Sequence, residues 1–483
     1  MSVRTGKQFV DGLRDGREVW YDGRRVDDVT TFAPFASAIR SMAMLYDLQH
    51  APGYQDVLTV EAPELGGRVG RAFEMPRTRD QLRLKRQAYI ACAEASCGML
   101  GRSPDFMNAM LTALAAKRSF FTELAPERGE AVVAYYRHVA RNDLFLTHAL
   151  LDPQLDKSRL RHQQRDPATP LRVVDRTGDG LVVHGIKRIA TAAPYADEIL
   201  VWPFPPTFQP GEDAYANVFA IPMATPGLKT ICRPSFAHAG DPVDHPLSAR
   251  FDEMDATVVF DHVLVPWDRV FLHENIALLN RMYRDTRMRE LTAHQTNARL
   301  EVKLGFLYAL AVRLAEASGL HARAETMELL GEAAVRVEVI RNTTRAAEEQ
   351  ARVDPENGLL YPDLWALLAG RALGPVYYPE LLGMLKRLAG GGLVQLPVSM
   401  AEFDSPIGPD LERALSGASV SGRDRARLLK LAWDLVGTEF GARHELYEMN
   451  YAGERGPLVA GVHREYGRRQ DYLDHLDRFL QDR

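Results

Sequence analysis

Apolar residues recur at helical spacing over the first part of the chain, alternate at strand spacing over its middle, and return to helical spacing over the rest. Just after Pro34, the positions of Ile39, Met42, Met44 and Leu45 predict a helix over 36–48. Thr78-Arg79-Asp80 opens a longer helix that closes near Gly98, and two more are predicted over 104–120 and 126–142. Ahead of them, Asp15-Gly16-Arg17 and Asp22-Gly23-Arg24 are turn signals framing a short strand pair over 18–21 and 25–28. After His148 the pattern changes. Leu171 to Asp175, a Thr177-Gly178-Asp179-Gly180 turn and Leu181 to His184 read as a hairpin, and short strands follow at 199–202, 215–221, 228–232, 256–259 and 262–265. Short strands with no helices between them make a barrel or a sandwich. From about Asn275 the helical period returns. Leu300, Leu304, Leu307, Ala311 and Leu314 mark one long helix; Met327, Leu330, Ala334, Val337 and Arg341 mark another. Two helices over 364–373 and 378–388, a Gly390-Gly391-Gly392 break and a last helix over 423–447 complete a bundle.

Composition narrows the function. The 483 residues are too many for one ordinary core, and 46% hydrophobic with 25% charged residues is a globular balance. A net charge of -5 argues against a nucleic-acid partner. No apolar run reaches the length of a membrane span, and Met1-Ser2-Val3-Arg4 begins no signal core. Three cysteines, Cys92, Cys97 and Cys232, make no disulfide framework, so a cytoplasmic location is expected.

Familiar catalytic signatures are missing. Gly66-Gly67-Arg68-Val69-Gly70 has the wrong spacing for a dinucleotide turn, and no Walker loop, His-Glu-x-x-His helix or Gly-x-Ser-x-Gly elbow occurs. Two stretches offer chemistry instead. Gly101-Arg102-Ser103-Pro104-Asp105-Phe106 puts a guanidinium beside an aromatic ring at a helix start, and Leu146-Thr147-His148 ends an apolar run in an imidazole. Arg, His and a ring suit an anionic or phenolic ring against a planar cofactor. The bland readings are a capped helix start and a core histidine. His238 to His245, with Asp241 and Asp244, has ligand types for a metal loop, but its Pro/Gly-rich setting favours plain solvent exposure.

The helix, strand, helix order is the one that houses flavin in acyl-CoA dehydrogenase-like proteins. By that analogy the fold class is α+β, with an N-terminal helical domain (1–146), a central antiparallel β-barrel domain (147–273) and a C-terminal four-helix bundle with tail (274–483). A set of motifs in order sharpens this: Arg4-Thr5-Gly6, Leu13-Arg14-Asp15-Gly16-Arg17, Asp28-Val29-Thr30, the Arg102 and His148 stretches, and Asp152-Pro153-Gln154. Ala190-Thr191-Ala192-Ala193, Val263 to Val270, His294-Gln295, Arg443 to Glu448 and Asn450-Tyr451-Ala452-Gly453 continue it. Together, from about residue 4 to about 455, the chain resembles the large oxygenase component of the 4-hydroxyphenylacetate 3-monooxygenase family.

The resemblance implies a two-component, FADH2-dependent monooxygenase. A separate NAD(P)H:flavin reductase supplies reduced FAD, and O2 converts it to a C4a-hydroperoxide that hydroxylates a small aromatic substrate ortho to its phenolic hydroxyl. It implies a homotetramer, with a dimer as the other possibility. Carried over residue by residue, Arg102 meets the substrate's oxygen, His148 lies between flavin and phenol, and His294 is the base for the phenol. Gln154 and Lys157 fall where the flavin is bound, with His148, Ala149 and Leu150 beside them; many relatives have Arg where Lys157 stands. Thr191 matches a flavin-contacting threonine, and Arg443, Asn450, Tyr451, Ala452 and Gly453 match a stretch that reaches the FAD phosphates or adenosine. One departure matters. Phe106 stands where relatives often have a substrate-binding tyrosine, which suggests a bulkier, less polar or carrier-tethered aromatic. The alternatives are a flavin-dependent dehydratase of the 4-hydroxybutyryl-CoA type and a non-catalytic family member. The dehydratase would need a cluster cysteine where Glu301 stands.

Overall fold

The computed structural model describes residues 3–153, 155–204, 207–237, 241–450 and 454–481. The amino-terminal segment opens with α1 (Gly6–Gly12), where Thr5 and Gln8 form a capping box. A hairpin of β1 (Glu18–Tyr21) and β2 (Arg24–Val26) turns through Asp22 and Gly23, both at positive φ. Then come α2 (Ala33–Leu48), α3 (Gln55–Leu58) and a second hairpin, β3 (Thr59–Ala62) with β4 (Gly67–Gly70). The helix α4 (Arg79–Glu94) starts at Thr78, whose hydroxyl accepts from the Gln81 amide. Pro104 opens α5 (Pro104–Ala116), a helix buried on almost every face, and α6 (Arg118–Thr122) follows separately. The break at Lys117 ends the predicted 104–120 helix early: its ammonium turns out to pair with Asp354 at 2.7 Å. Pro126 opens α7 (Pro126–Asn142), which stops at Asp143 in a left-handed conformation.

That stop sends the chain directly into β5 (Leu146–Ala149), buried at all four positions. The other strands of this region are β6 (Arg172–Arg176), β7 (Gly180–Thr191), β8 (Glu198–Val201), β9 (Val218–Pro222), β10 (Leu228–Cys232), β11 (Asp255–Pro266) and β12 (Val270–Leu272), with a short α8 (Ser248–Phe251) before β11. They form two sheets, ordered β2-β1-β10-β11-β7-β6 and β12-β9-β8-β5. The expected closed antiparallel barrel is not found. Each sheet keeps two edges, and two pairs, β1 with β10 and β5 with β8, are parallel. Closure would require the edge strands to pair with each other. Here the amino-terminal hairpin occupies one edge instead, so the sheet crosses the boundary expected at residue 146. Phe219 and Phe260 meet edge to face between the sheets at 6.1 Å, which is the sandwich that the strand pattern left open.

The carboxy-terminal helices are α9 (Ile276–Asp285), α10 (Met288–Ala317), α11 (Ala324–Glu349), α12 (Leu364–Ala389), α13 (Gly408–Leu415), α14 (Gly422–Val436), α15 (Glu439–Asn450), α16 (Arg455–Glu465) and α17 (Arg469–Gln481). The central one is α10, buried on every side from Glu290 to Leu300 and along one face from Lys303 to Ala317. Two expectations change. The stretch 364–388 is one helix carrying Pro375 and Pro379 inside it, its packing against α10 and α11 outweighing the two lost backbone bonds. Conversely, 423–447 is two helices, broken at Gly437, where an added Cβ would lie 2.3 Å from the Trp433 ring. No helix among the described residues is long and apolar enough to cross a membrane.

Candidate functional site

The site forms where the start of α5, the strand β5 and the helix α15 converge. Gly101 leaves room for Tyr447, since a Cβ there would sit 2.4 Å from the Tyr447 ring. The neighbouring Arg102 is thereby enclosed between two rings, its guanidinium carbon 4.3 Å from the centre of Phe106 and 5.4 Å from that of Tyr447. Its backbone amide donates to Glu253 at 2.7 Å, which fixes the turn against the β-domain. Ser103 donates to Asp105, and Gln295 of α10 donates to the same carboxylate at 3.3 Å. Phe106 is one α5 residue further on, so its ring faces both Arg102 and β5.

On β5 the alternation of side chains sends Thr147 one way and His148 the other. The Thr147 hydroxyl donates to the Thr191 carbonyl at 2.6 Å, while the His148 ring meets Phe106 at 6.0 Å and Trp202 at 5.5 Å, both edge to face. Neither ring nitrogen of His148 has a hydrogen-bond partner among the described residues, and neither does the buried indole N–H of Trp202. Three buried polar atoms left unsatisfied beside a cation are costly unless a ligand completes them. Burial, and then the nearby Arg102 charge, hold the His148 imidazole neutral far below the usual histidine range. A neutral imidazole offers one donor and one acceptor, which suits a phenolic hydroxyl on one side and a flavin edge on the other.

Thr191 and Arg443 meet on one carboxylate. The Thr191 hydroxyl donates to Asp255 at 2.7 Å, and Arg443 grips the same group with two bonds of 2.8 and 3.0 Å while reaching Glu253 at 3.2 Å. Burial works against the Asp255 charge, but Arg443 and Arg233 overcome it and hold the carboxyl below the ordinary range. Arg443 also lies 4.3 Å from the Tyr447 ring. Two of the three expected cationic positions, Arg102 and Arg443, thus flank Tyr447, with Glu253 bonded to both.

The other expected residues are more scattered. Ala149 is buried and Leu150 half-buried, its carbonyl accepting from Lys187 at 3.2 Å. Lys157 is exposed on the following loop, and Asn450, exposed at the end of α15, donates to the Leu446 carbonyl at 2.9 Å. Gln154, Tyr451, Ala452 and Gly453 lie outside the described residues. His294 is fully buried on α10, with Nε2 2.8 Å from Glu348 and its ring 5.7 Å from Tyr89; among the described residues no hydrogen bond or ring contact joins it to Arg102, Phe106 or His148, whereas its neighbour Gln295 bonds Asp105. Glu301 faces Arg341 at 3.2 Å. The 238–245 stretch is not simply solvent-exposed: His238 lies outside the described residues, but Asp244 is buried and clasps Lys430 at 2.8 Å and Ser399 at 2.9 Å.

Sequence reasoning missed Tyr447, Trp202, Glu253 and Asp255. For Tyr447 a signal existed, because Arg443 and Tyr447 are four apart and share a helix face. His444 and Glu448 share the next face, turned into the bundle. There Glu448 pairs with Arg299 at 2.7 Å and with Lys303 at 2.9 Å.

Known proteins share this architecture. Residues 5–272 match the family described as 4-hydroxyphenylacetate 3-hydroxylase N terminal, and residues 279–481 match 4-hydroxyphenylacetate 3-hydroxylase C terminal. The chain is 40% identical, over 99% of its own length and 98% of the relative's, to the 4-hydroxyphenylacetate 3-monooxygenase oxygenase component of Thermus thermophilus. It is 36% identical, over 93% and 85%, to a Streptomyces globisporus monooxygenase acting on a 3-amino-3-(3-chloro-4-hydroxyphenyl)propanoyl group held on a peptidyl-carrier protein. Among solved structures it superposes, with a TM-score of 0.94, 39% identity and coverage of 99% and 98%, on a 4-hydroxyphenylacetate 3-monooxygenase oxygenase component complexed with FAD and 4-hydroxyphenylacetate. An archaeal 4-hydroxybutyryl-CoA dehydratase from N. maritimus shares the fold at a TM-score of 0.87 and 20% identity, covering 98% and 95%.

Proposed function

The chain belongs to the 4-hydroxyphenylacetate 3-hydroxylase family, and from that premise we propose that its Arg102–Phe106–His148 pocket holds a phenol against reduced FAD for ortho hydroxylation. It is the oxygenase component of an FAD-dependent monooxygenase, its reduced flavin coming from a separate reductase. The reaction balances as phenol, FADH2 and O2 giving catechol, FAD and water. What the flavin supplies when bound is the electron pair that activates O2.

The observation that carries the site assignment is the set of unsatisfied buried donors and acceptors, His148 Nδ1, His148 Nε2 and Trp202 Nε1, grouped around a ring-enclosed guanidinium. Arg102 draws the phenolic oxygen towards the phenolate, the form more reactive to electrophilic oxygen. One nitrogen of His148 accepts from the phenolic O–H, and the other donates towards the cofactor. Thr191 and Ala149 line the flavin side, and the family resemblance gives Gln154, Lys157, Asn450, Tyr451, Ala452 and Gly453 cofactor-binding roles as well. Arg443, its donors engaged by Asp255 and Glu253, orients Tyr447 and the Glu253-bonded turn rather than a phosphate. His294 acts as a positioning residue, fixing α10 so that Gln295 holds Asp105.

Phe106 sets the substrate class. It gives the pocket beside Arg102 and His148 an apolar wall in place of a hydroxyl, so a phenol with an uncharged or carrier-linked side chain fits better than one with a free carboxylate. The carrier-linked substrate of the Streptomyces relative is consistent with this. For assembly, Leu473, Leu476 and Leu480 lie exposed at helical spacing on α17, an apolar face that supports a homo-oligomer of the expected tetrameric kind; the free thiols of Cys92, Cys97 and Cys232 support a cytoplasmic location. A dehydratase reading finds less support: Glu301, where a cluster cysteine would stand, is committed to Arg341.

The test is to mix the protein anaerobically with reduced FAD, admit O2, and quantify catechols from matched phenols bearing a carboxylate, an amide, an ester or a carrier-type thioester. Catechol from the uncharged or thioester substrates at higher kcat/KM than from the carboxylate supports the proposal. Preference for the carboxylate refutes the role of Phe106, and no catechol from any phenol refutes the pocket.

A further inference from the structure

A second cluster of polar side chains lies in the β-domain, at a bulge in β11. Phe260 pairs with Gly185 and Val263 with Val183, so Asp261 and His262 together oppose the single residue His184 of β7. His262 takes a positive φ of 51° there, an uncommon conformation for a residue other than glycine. The bulge directs all three side chains to one place. His262 Nδ1 lies 3.1 Å and His184 Nδ1 3.8 Å from the same oxygen, Asp261 Oδ1, and the two imidazole rings are 4.4 Å apart. One ligand atom from each of the three falls within 4.8 Å of the others, and among the described residues no other group of three or more His, Cys, Asp or Glu side chains does so. His184 Nδ1 is buried and has no hydrogen-bond partner among the described residues.

We propose that His184, Asp261 and His262 form a site for a late first-row divalent metal ion of the Zn2+ class, clamping β7 to β11 across the bulge. Ligand atoms of a tetrahedral zinc centre, each about 2.0–2.1 Å from the metal, are about 3.3 Å apart. The two distances to Asp261 Oδ1 bracket that value, so the ion needs only side-chain adjustment to enter. Two imidazoles and one carboxylate select Zn2+, Ni2+ or Cu2+ over Mg2+ or Ca2+, which prefer all-oxygen sets. Asp261 and His262 are exposed, which leaves the fourth position to water. Lys229, whose ammonium is 3.3 Å from Asp261 Oδ2, touches the oxygen that does not face the histidines. The ion would stiffen the two strands that carry Thr191 and Asp255, at a distance from the reaction.

The test uses untagged, chelator-treated full-length protein and Zn2+ alone as the probe. Isothermal titration should give one site per chain with micromolar affinity. Co2+ should develop a visible absorption band displaced by Zn2+, and neither Mg2+ nor Ca2+ should compete. In His184→Ala/His262→Ala both signals should vanish while circular dichroism and flavin-dependent hydroxylation are unchanged. Should the double variant misfold, the exposed His262→Ala alone must weaken Zn2+ binding at least tenfold. Absence of saturable binding in the wild type, equal binding in the variants, or equal competition by Mg2+ would overturn the site.

Discussion

Two buried cationic centres sit on either face of α15, and they are built oppositely. Around Lys303, opposite charges close on each other: Glu448 takes Arg299 and Lys303 between its oxygens, and His444 Nδ1 lies 3.1 Å from the ammonium. Burial would raise the Glu448 carboxyl, but Arg299 and Lys303 pull it down to about 2. Around Arg102 the enclosure is made of rings, and the neighbouring His148 and Trp202 keep polar atoms unsatisfied. The first centre is a lock, its cations held by a carboxylate although His444 Nε2 stays unpaired; the second is a receptacle, its His148 nitrogens and Trp202 N–H lying beside aromatic rings. The helix α15 couples them, because Arg443 and Tyr447 face the receptacle while His444 and Glu448 face the lock.

The largest effect should come from breaking the lock. Glu448→Ala leaves Arg299 and Lys303 buried without their counter-charge and should cost about 3–5 kcal/mol of stability, read by chemical denaturation. Glu448 also carries a pH signature. Its folded pKa is depressed, so its contribution is fully present above the ordinary carboxylate range and is lost as pH falls from about 4.5 towards about 2; Glu448→Gln should remove that acid-labile component. Next comes the receptacle itself. Arg102→Ala should lower kcat/KM for phenol hydroxylation by roughly 100- to 1,000-fold, by analogy with loss of one preorganised charge-stabilising donor, with a much smaller change in stability.

The third effect tests the neutral state of His148. Its folded pKa is depressed by burial and Arg102, so the unfolded chain binds the extra proton first. Stability should therefore fall as pH drops below about 6.5, by up to about 1.4 kcal/mol per pH unit for this group. In His148→Gln that slope should be shallower by one proton, the share of the similarly buried His444 remaining. Smallest is Phe106→Tyr, which adds back a hydroxyl on the wall of the receptacle. It should shift the kcat/KM ratio towards a carboxylate-bearing phenol by about 10-fold, roughly 1.4 kcal/mol, in competition assays.

Much of the fold is legible from sequence where short-range rules decide. Thr78 with Gln81, Pro104 and Pro126 mark helix starts, and Arg102, Phe106 and His148 do converge. Long-range pairing is not legible. Nothing local says that the 18–26 hairpin joins β10 in a sheet, which turns an expected barrel into two open sheets. The stretch around Pro375 reads as a gap between two helices because the packing that carries one helix through Pro375 and Pro379 comes from α10 and α11. Tyr447, Trp202 and Asp255 escape for the same reason: each matters through partners far away in the chain. His184, Asp261 and His262 meet only because a bulge sets two residues against one.

The most direct test is a single-turnover reaction of pre-reduced FAD with 18O2 and an uncharged phenol, comparing wild type, Arg102→Ala and Glu448→Gln under conditions where all three remain folded. Wild type should place one labelled oxygen in the catechol, and Glu448→Gln should keep most of that yield. Arg102→Ala should give almost none, its flavin reoxidising without product. Equal labelled yield from Arg102→Ala would contradict a catalytic receptacle, for the ring-enclosed guanidinium would then be structural and the reaction would belong elsewhere.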